Sequence, residues 1–231
     1  MSDFLKPGPP GIPSNPDLRE LVEGKRRYSP RPKRDDAKLG FRNWHERGFL
    51  PHRDEPGLTQ FVTFRLADSF PASLRAEWMH MAAIENKREQ QRQIQNYLDK
   101  GRGACHLRNR SIAHMVQKNL RDFSHGRYEL RAWVVMPNHV HVLITIGVIA
   151  MARIVESWKK HTARLANQIL GKHGAFWAPD YFDTYMRDAV HERKAIRYIE
   201  NNPVKARMVT DPKDYLWSSA RYRDDCGKLL V

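Results

Sequence analysis

The pattern of hydrophobic and polar positions predicts β-strands in four places. LTQFVTFRL, from Leu58 to Leu66, alternates apolar and polar residues and is rich in β-branched and aromatic side chains. Two further β-rich runs, Tyr128 to Met136 and His139 to Ile146, are separated only by a Pro-Asn dipeptide, which predicts an antiparallel hairpin. A shorter run, Phe182 to Met186, predicts the last strand.

Helical spacing of apolar residues appears between and after these strands. It predicts helices over residues 71–98, 112–123, 151–170 and 191–201. The last of these is expected to end before Pro203, because the residue preceding a proline is disfavoured in the α region. Helices that alternate with strands, and a hairpin in the middle, predict an α+β fold with one antiparallel sheet flanked by helices.

Residues 1–57 differ from the rest of the chain, since they are rich in proline and charge and lack a periodic apolar pattern. They predict a basic, largely irregular N-terminal arm that either contacts phosphates or only aids solubility. The following residues, 58–222, are predicted to form one domain with a long helical insertion at 72–125. A short C-terminal tail, 223–231, completes the predicted organisation.

The charge balance points to a polyanionic partner. Lys plus Arg number 40 and Asp plus Glu 26, which gives a net charge of +14 and a pI of about 10.0. No apolar stretch reaches the roughly 20 residues of a membrane span, and no secretory signal follows Met1. Two distant cysteines predict neither a disulfide framework nor a zinc knuckle. The chain has no phosphate-binding loop motif, so no nucleotide cofactor is expected. A cytoplasmic protein without a membrane partner is expected.

His139 and His141 are the first residues that suggest a chemistry. Residues two apart in a strand project from the same face, so their imidazoles are expected side by side, with Val140 and Val142 on the opposite, buried face. Two adjacent imidazoles are half of a divalent-metal site. The pattern is short, however, and two ordinary histidines on a hairpin are the alternative reading of the same spacing.

A polar stripe on the last predicted helix is the second such feature. Lys194, Tyr198 and Asn202 follow each other at four-residue steps, which places an ammonium, a phenol and an amide along one side of the helix. The alternative is structural: Tyr198 covers the core, Asn202 caps the helix end and Lys194 is solvated.

Several sequence blocks resemble the HUH single-tyrosine transposases and, within them, the REP-associated tyrosine transposases of bacteria. The resemblance covers about residues 44–222. It rests on WVVMPNHVHVLI (133–144), FWAPDYFDTYMRD (176–188), YIENNPVKA (198–206) and WSSAR (217–221), with RGFLPHRDEPGLTQFVTFRL (47–66) similar to the opening of that branch. The resemblance implies an HUH-endonuclease-like fold with a ferredoxin-like core.

The resemblance also implies roles for the polar residues. His139 and His141 correspond to the metal-binding histidines, Tyr198 to the nucleophile, and Asn202 to a third ligand for Mg²⁺ or Mn²⁺.

The third ligand is the least defined of these positions, because Pro203 follows it and Asn201 or Glu200 are alternatives. The sequence departs from the family pattern at Thr184, where a basic residue is expected, and at Arg207, where a glycine is expected.

The implied activity is nicking and transfer of single-stranded DNA through a 5′-phosphotyrosine. The implied substrate is a palindromic hairpin of the REP type, and the implied protein is a nucleoid-associated monomer or homodimer. Lys159, Lys160 and Arg164, on one face of the predicted 151–170 helix, are the expected phosphate contacts, with Lys194 supplying further positive charge. A solvated helix face is the other meaning of such a stripe.

Two other functions are compatible with the sequence. The first is a catalytically silent regulator that binds hairpin DNA. The second is a zinc hydrolase in which Asp183 or His191 joins the two histidines, although the chain lacks a helical His-Glu-x-x-His motif.

Overall fold

The computed structural model of the chain describes residues 34–47, 50–70, 84, 87–124 and 126–231. The first 33 residues of the predicted arm, and most of the predicted helix from Pro71, lie outside the described residues. The helices are α1 (Arg34–Lys38), α2 (Lys87–Asp99), α3 (Arg110–Asp122), α4 (Met151–Leu170) and α5 (Ala189–Lys205). The strands are β1 (Asn43–Arg47), β2 (Leu50–Asp54), β3 (Thr59–Arg65), β4 (Tyr128–Val135), β5 (His139–Ile146) and β6 (Phe182–Tyr185).

The main sheet has four strands in the order β4-β5-β3-β6, and every neighbouring pair is antiparallel. Helices α2 and α3 follow the first of these strands in the chain, and α4 follows the hairpin β4-β5. This βαββαβ succession with its split strand order is the ferredoxin-like arrangement. The predicted α+β class, with an antiparallel sheet flanked by helices, is therefore confirmed.

The two faces of the sheet pack against different helices. Val140, Val142 and Ile144 lie on the face that forms the larger core with α3 and α4. On the other face, Leu143 packs in a smaller cluster with Ile199 of α5. Because side chains alternate along β5, its histidines lie on the α5 face. None of the helices in the described ranges has the length and apolar character to cross a bilayer.

A second, two-stranded sheet lies where the irregular arm was predicted. Strands β1 and β2 pair antiparallel, with Asn43 opposite Asp54. His52 is buried and its Nδ1 contacts the Asp183 carboxylate of β6, while Asp54 Oδ1 accepts a hydrogen bond from the Met151 N–H at the start of α4 (3.0 Å). The prediction of an irregular arm is therefore wrong for residues 34–47 and 50–54, which contain a helix and two strands and make these polar contacts.

Helix α5 also extends further than the sequence predicted. It begins at Ala189, where the Asp188 side chain accepts from the His191 N–H at 2.7 Å, and it continues past Pro203 to Lys205. The prediction that Pro203 ends the helix is wrong. A proline in the last turn removes one backbone donor, and this helix end is still closed because the Ala206 N–H donates to the Asn202 carbonyl at 2.9 Å.

The turn after α5 has a backbone conformation that favours glycine. The N–H groups of Arg207 and Met208 donate to the carbonyls of Val204 and Pro203, both at 2.9 Å, which is the Schellman pattern. Arg207 has φ of 57°, in the left-handed region. This is the position at which the family resemblance leads one to expect glycine.

Arg207→Gly is expected to raise the free energy of unfolding by about 0.5–1 kcal/mol. The substitution removes a left-handed penalty of about 1–2 kcal/mol, and the greater freedom of glycine in the unfolded chain offsets part of it. Urea denaturation measures the change. Arg193→Gly, at an exposed position inside α5, is the control and should lower stability by about 1 kcal/mol. A loss of stability in Arg207→Gly would contradict the expectation.

Candidate active site between the sheet and the last helix

The two histidines of β5 meet at their ε nitrogens. His139 Nε2 and His141 Nε2 are 3.0 Å apart, and both residues are fully buried at 0% exposure. This confirms that the imidazoles lie side by side. Two adjacent ligands of an octahedral cation at about 2.1 Å would also be about 3.0 Å apart. The spacing of the pair therefore fits a divalent metal.

The other ring nitrogen of each histidine has its own partner. His139 Nδ1 lies 2.7 Å from the Asn138 side-chain oxygen, and His141 Nδ1 lies 2.8 Å from Thr63 Oγ1 on β3. When both Nδ1 atoms donate in these bonds, each Nε2 carries a lone pair towards the other ring. Two facing lone pairs repel unless a cation or a donor lies between them, so the hydrogen bonds prepare the pair for a ligand role.

Burial keeps both imidazoles neutral. It lowers the pKa of His139 to about 4, with the Asp99 carboxylate opposing the shift. Burial also lowers the pKa of His141 well below its usual value, and the electrostatic effects of the adjacent His139 ring and of the Lys205 ammonium act in the same direction. Neutral imidazole is the form that binds a metal, so the pair is in its ligand form at neutral pH.

Helix α2 adds two polar side chains to the pair. Asp99 Oδ1 is 3.9 Å from His139 Nε2, and one ligand atom each of Asp99, His139 and His141 lies within 4.8 Å of the others. Gln95 Nε2 lies 2.8 Å from His141 Nε2 and donates to it, and 3.3 Å from Asp99 Oδ1. Sequence reasoning missed both residues, because the segment KREQQRQIQNYLD contains many polar side chains and no motif.

Tyr198 lies against the same histidines. Its ring centroid is 5.7 Å from that of His141 and 6.0 Å from that of Phe61, which it meets edge-on. The pKa of the Tyr198 hydroxyl is raised above its usual value, first by burial and then by the Asp99 carboxylate. The structure thus brings the predicted tyrosine to the predicted histidine pair.

Asn202 is the third predicted ligand, and it is fully buried at 0% exposure. Within the described part of the chain, neither polar atom of its side chain has a partner at full hydrogen-bonding geometry; the amide and the Tyr198 hydroxyl interact with each other, but at a geometry short of a hydrogen bond. The two alternatives are engaged elsewhere. Glu200 accepts from Ser219 Oγ and Arg223 Nε, both at 2.6 Å, and Asn201 is exposed.

The set of donors around the site suits a hard or borderline divalent cation. It consists of two neutral imidazoles, the Asp99 carboxylate and the Asn202 amide. A buried amide without partners is costly in a folded protein, so each such group calls for an explanation such as a missing ion or water. The residues present therefore fit the predicted Mg²⁺ or Mn²⁺.

Lys205, and not Lys194, is the lysine at this site. Lys205 Nζ lies 2.6 Å from Asp99 Oδ2 and 5.9 Å from the centroid of the Tyr198 ring. Lys194 is exposed on α5. Lys205 was missed because the helix was predicted to end at Asn201, which left the next turn of the stripe out of consideration.

The basic residues predicted to contact DNA lie on α4, which covers the opposite face of the sheet from the histidines. Lys160 and Arg164 are exposed there. Lys159 Nζ donates to the carbonyls of residues 178–180 at 2.8–3.0 Å, so it links α4 to the loop before β6.

The residues expected of a zinc hydrolase do not join the pair. Asp183 contacts His52 on the edge of the sheet, and the His191 ring accepts from the Arg187 N–H at 3.4 Å near the start of α5. Among the described residues, the cluster able to hold a metal contains Asp99 and the two histidines, without Asp183 or His191.

Comparison with known protein families agrees with the resemblance. Residues 105–202 match the family model described as "Transposase IS200 like". The matched segment contains both histidines, Tyr198 and Asn202, and it confirms the predicted resemblance to these transposases. A solved structure of a REP-associated tyrosine transposase bound to a REP hairpin is 21% identical, with a TM-score of 0.43, and the alignment covers 77% of this chain and 82% of that one. No curated protein matches the chain significantly.

Proposed function

We propose that this protein is a transposase that cuts and rejoins single-stranded DNA through a covalent bond to Tyr198, acting on palindromic hairpins of the REP type. The observation that carries the proposal is the packing of Tyr198 against a neutral histidine pair whose ε nitrogens converge on one point. The match of residues 105–202 to the IS200-like family supports the transposase class.

The proposed reaction exchanges one phosphate ester for another. The Tyr198 oxygen attacks the phosphorus, the bond from phosphorus to the 3′ oxygen breaks, and the DNA 5′ phosphate remains on the tyrosine. The phenolic proton is released, and the departing 3′ oxygen takes up a proton to become a hydroxyl. Attack by another 3′ hydroxyl reverses these steps and rejoins the strands, so no nucleotide cofactor is required.

His139, His141 and Asn202 are the proposed holders of Mg²⁺ or Mn²⁺. When bound, such a cation supplies the positive charge that polarises the phosphate and favours the phenolate. This matters here because burial and Asp99 both make the Tyr198 hydroxyl less acidic than a phenol in water. Lys194 is proposed to neutralise phosphate charge at the surface end of α5.

The recessed position of Tyr198 favours a single-stranded substrate. A backbone phosphate reaches a buried hydroxyl more readily when its strand is not held in a duplex. Lys160 and Arg164, on the face of the sheet opposite the histidines, are proposed contacts for phosphates away from the cleavage point. Lys159 is proposed as a further phosphate contact on that face, in addition to its hydrogen bonds to the loop before β6. The expectations of a nucleoid location and of a monomer or homodimer stay predictions.

Covalent capture tests the proposal. The protein is mixed with a palindromic oligonucleotide that carries a label at its 3′ end, in the presence of Mn²⁺, and is then denatured. The label is expected to migrate with the protein, and peptide mass spectrometry is expected to place the DNA on Tyr198. A scrambled strand of the same composition is the control. Tight hairpin binding without any adduct, with either Mg²⁺ or Mn²⁺, would favour the silent regulator instead.

A further inference from the structure

Helix α2 brings a carboxylate to the metal-binding face of the histidine pair, although α2 lies outside the sequence blocks that carry the family resemblance. Asp99 is the last residue of this helix and is largely buried, with a side-chain exposure of 12%. One of its oxygens faces His139 Nε2 at 3.9 Å, and the other contacts Lys205 Nζ at 2.6 Å.

We propose that Asp99 is a direct ligand of the divalent cation held by His139 and His141, and that Lys205 neutralises this carboxylate when the cation is absent. The inference deepens the function proposed above and rests on it for the presence of a metal. It adds to the site a ligand from α2, in addition to the residues of β5 and α5.

Charge balance supports the assignment. A carboxylate taken out of water is costly unless it is paired. The Lys205 ammonium, at 2.6 Å from Asp99 Oδ2, is the positive partner of this carboxylate in the structure. A divalent cation at the histidines would provide the same compensation with a higher charge and would weaken the attraction of Asp99 for the Lys205 ammonium, which also contacts Asn96 Oδ1 at 3.5 Å.

The position of Lys205 gives this exchange a functional consequence. Its ammonium lies 5.9 Å from the Tyr198 ring centroid, on the next turn after Asn202. Once Asp99 binds the cation, Lys205 becomes available for the anionic phosphate that Tyr198 attacks, in a charge-assisted hydrogen bond. Cation binding and phosphate binding would then favour each other.

Gln95 is placed one turn before Asp99 and takes part in the same exchange. Its amide donates to His141 Nε2, which is the atom that a metal requires. Metal binding therefore requires the amide to turn, which presents its oxygen in place of its NH₂ group. Ile94 and Leu98 pack in an apolar cluster with Phe70 and Phe182. This packing holds Gln95 and Asp99 over the site.

Calorimetric titration with Mn²⁺ in the absence of DNA tests the proposal. Wild type and Asp99→Asn are compared, and Asp99→Asn is expected to bind Mn²⁺ at least tenfold more weakly, because a neutral amide replaces a charged ligand. Asp122→Asn on α3 is the matched control, since that carboxylate also pairs with a lysine, Lys118, but on an exposed surface. The control is expected to bind like wild type. Equal affinity in Asp99→Asn and wild type would overturn the assignment.

Lys205→Met supplies an independent test, which remains informative if Asp99→Asn folds poorly. If Asp99 is a ligand, loss of the competing ammonium is expected to tighten Mn²⁺ binding several-fold. If Asp99 only forms an ion pair with Lys205, Mn²⁺ affinity stays unchanged, and the proposal fails. These titrations contain no DNA, so a missing covalent adduct would refute the proposed function without changing their outcome.

Discussion

Tyr198→Phe is expected to abolish the covalent protein–DNA adduct and to reduce strand cleavage by on the order of 10⁴-fold or more, as the loss of a nucleophile does in other enzymes. The structure makes this a clean substitution. The contact of the Tyr198 hydroxyl with the Asn202 side chain falls short of hydrogen-bonding geometry, so removal of the hydroxyl breaks no well-formed bond among the described residues. The phenyl ring keeps its packing against Phe61 and His141. The variant should therefore fold and bind hairpin DNA like wild type.

Tyr185→Phe is the matched control for this prediction. Tyr185 lies on β6, and its ring carries the Arg53 guanidinium at 5.0 Å; phenylalanine retains this contact and loses the interaction of the hydroxyl with Arg53. The control is expected to form the adduct at the wild-type rate, as measured on denaturing gels. An adduct in Tyr198→Phe would place the nucleophile elsewhere in the chain.

His139→Ala is expected to remove the effect of divalent cations on both stability and cleavage. For wild type, Mn²⁺ at about 100 times its dissociation constant should stabilise the fold by about 2.7 kcal/mol, which is on the order of 5–10 °C in Tm. The variant should show no such shift, because one of two converging imidazoles is gone. Its cleavage should fall by about 10²–10³-fold, in line with the several kcal/mol that a catalytic metal contributes.

His114→Ala controls for the loss of a histidine as such. His114 is exposed on α3, and its removal is expected to leave both the Mn²⁺-dependent Tm shift and the cleavage rate unchanged. Thermal unfolding with and without Mn²⁺ measures the first quantity without any DNA. A full Mn²⁺ shift in His139→Ala would show that the cation binds at another place.

The parts of the fold that local patterns control were predictable from the sequence. Helix α4 has the predicted bounds, Met151 to Leu170, because a continuous apolar stripe ends at Gly171, whose φ of 60° stops the helix. The face shared by His139 and His141 follows from the two-residue period of a strand alone. These features depend on near neighbours in the chain.

The rest of the site depends on how distant elements meet. Asp99 and Gln95 lie on α2, and only the placement of that helix against β5 separates them from the many other polar residues around them. Lys205 was missed because the helix was predicted to end before Pro203, whereas α5 continues through the proline to Lys205. The β1-β2 hairpin was missed for a related reason, since buried polar contacts through His52 and Asp54 hold it in place and no apolar period marks it.

The contacts of Glu200 restrain the orientation of the tyrosine. Glu200 lies two residues after Tyr198, and its carboxylate is fixed by Ser219 and Arg223, while Arg223 also donates to the Arg131 carbonyl of β4 at 2.8 Å. These contacts restrain rotation of α5 about its own axis in the folded protein. For the proposed attack by Tyr198 on DNA, this restraint removes an entropic cost from the encounter and leaves more of the binding energy to lower the activation barrier.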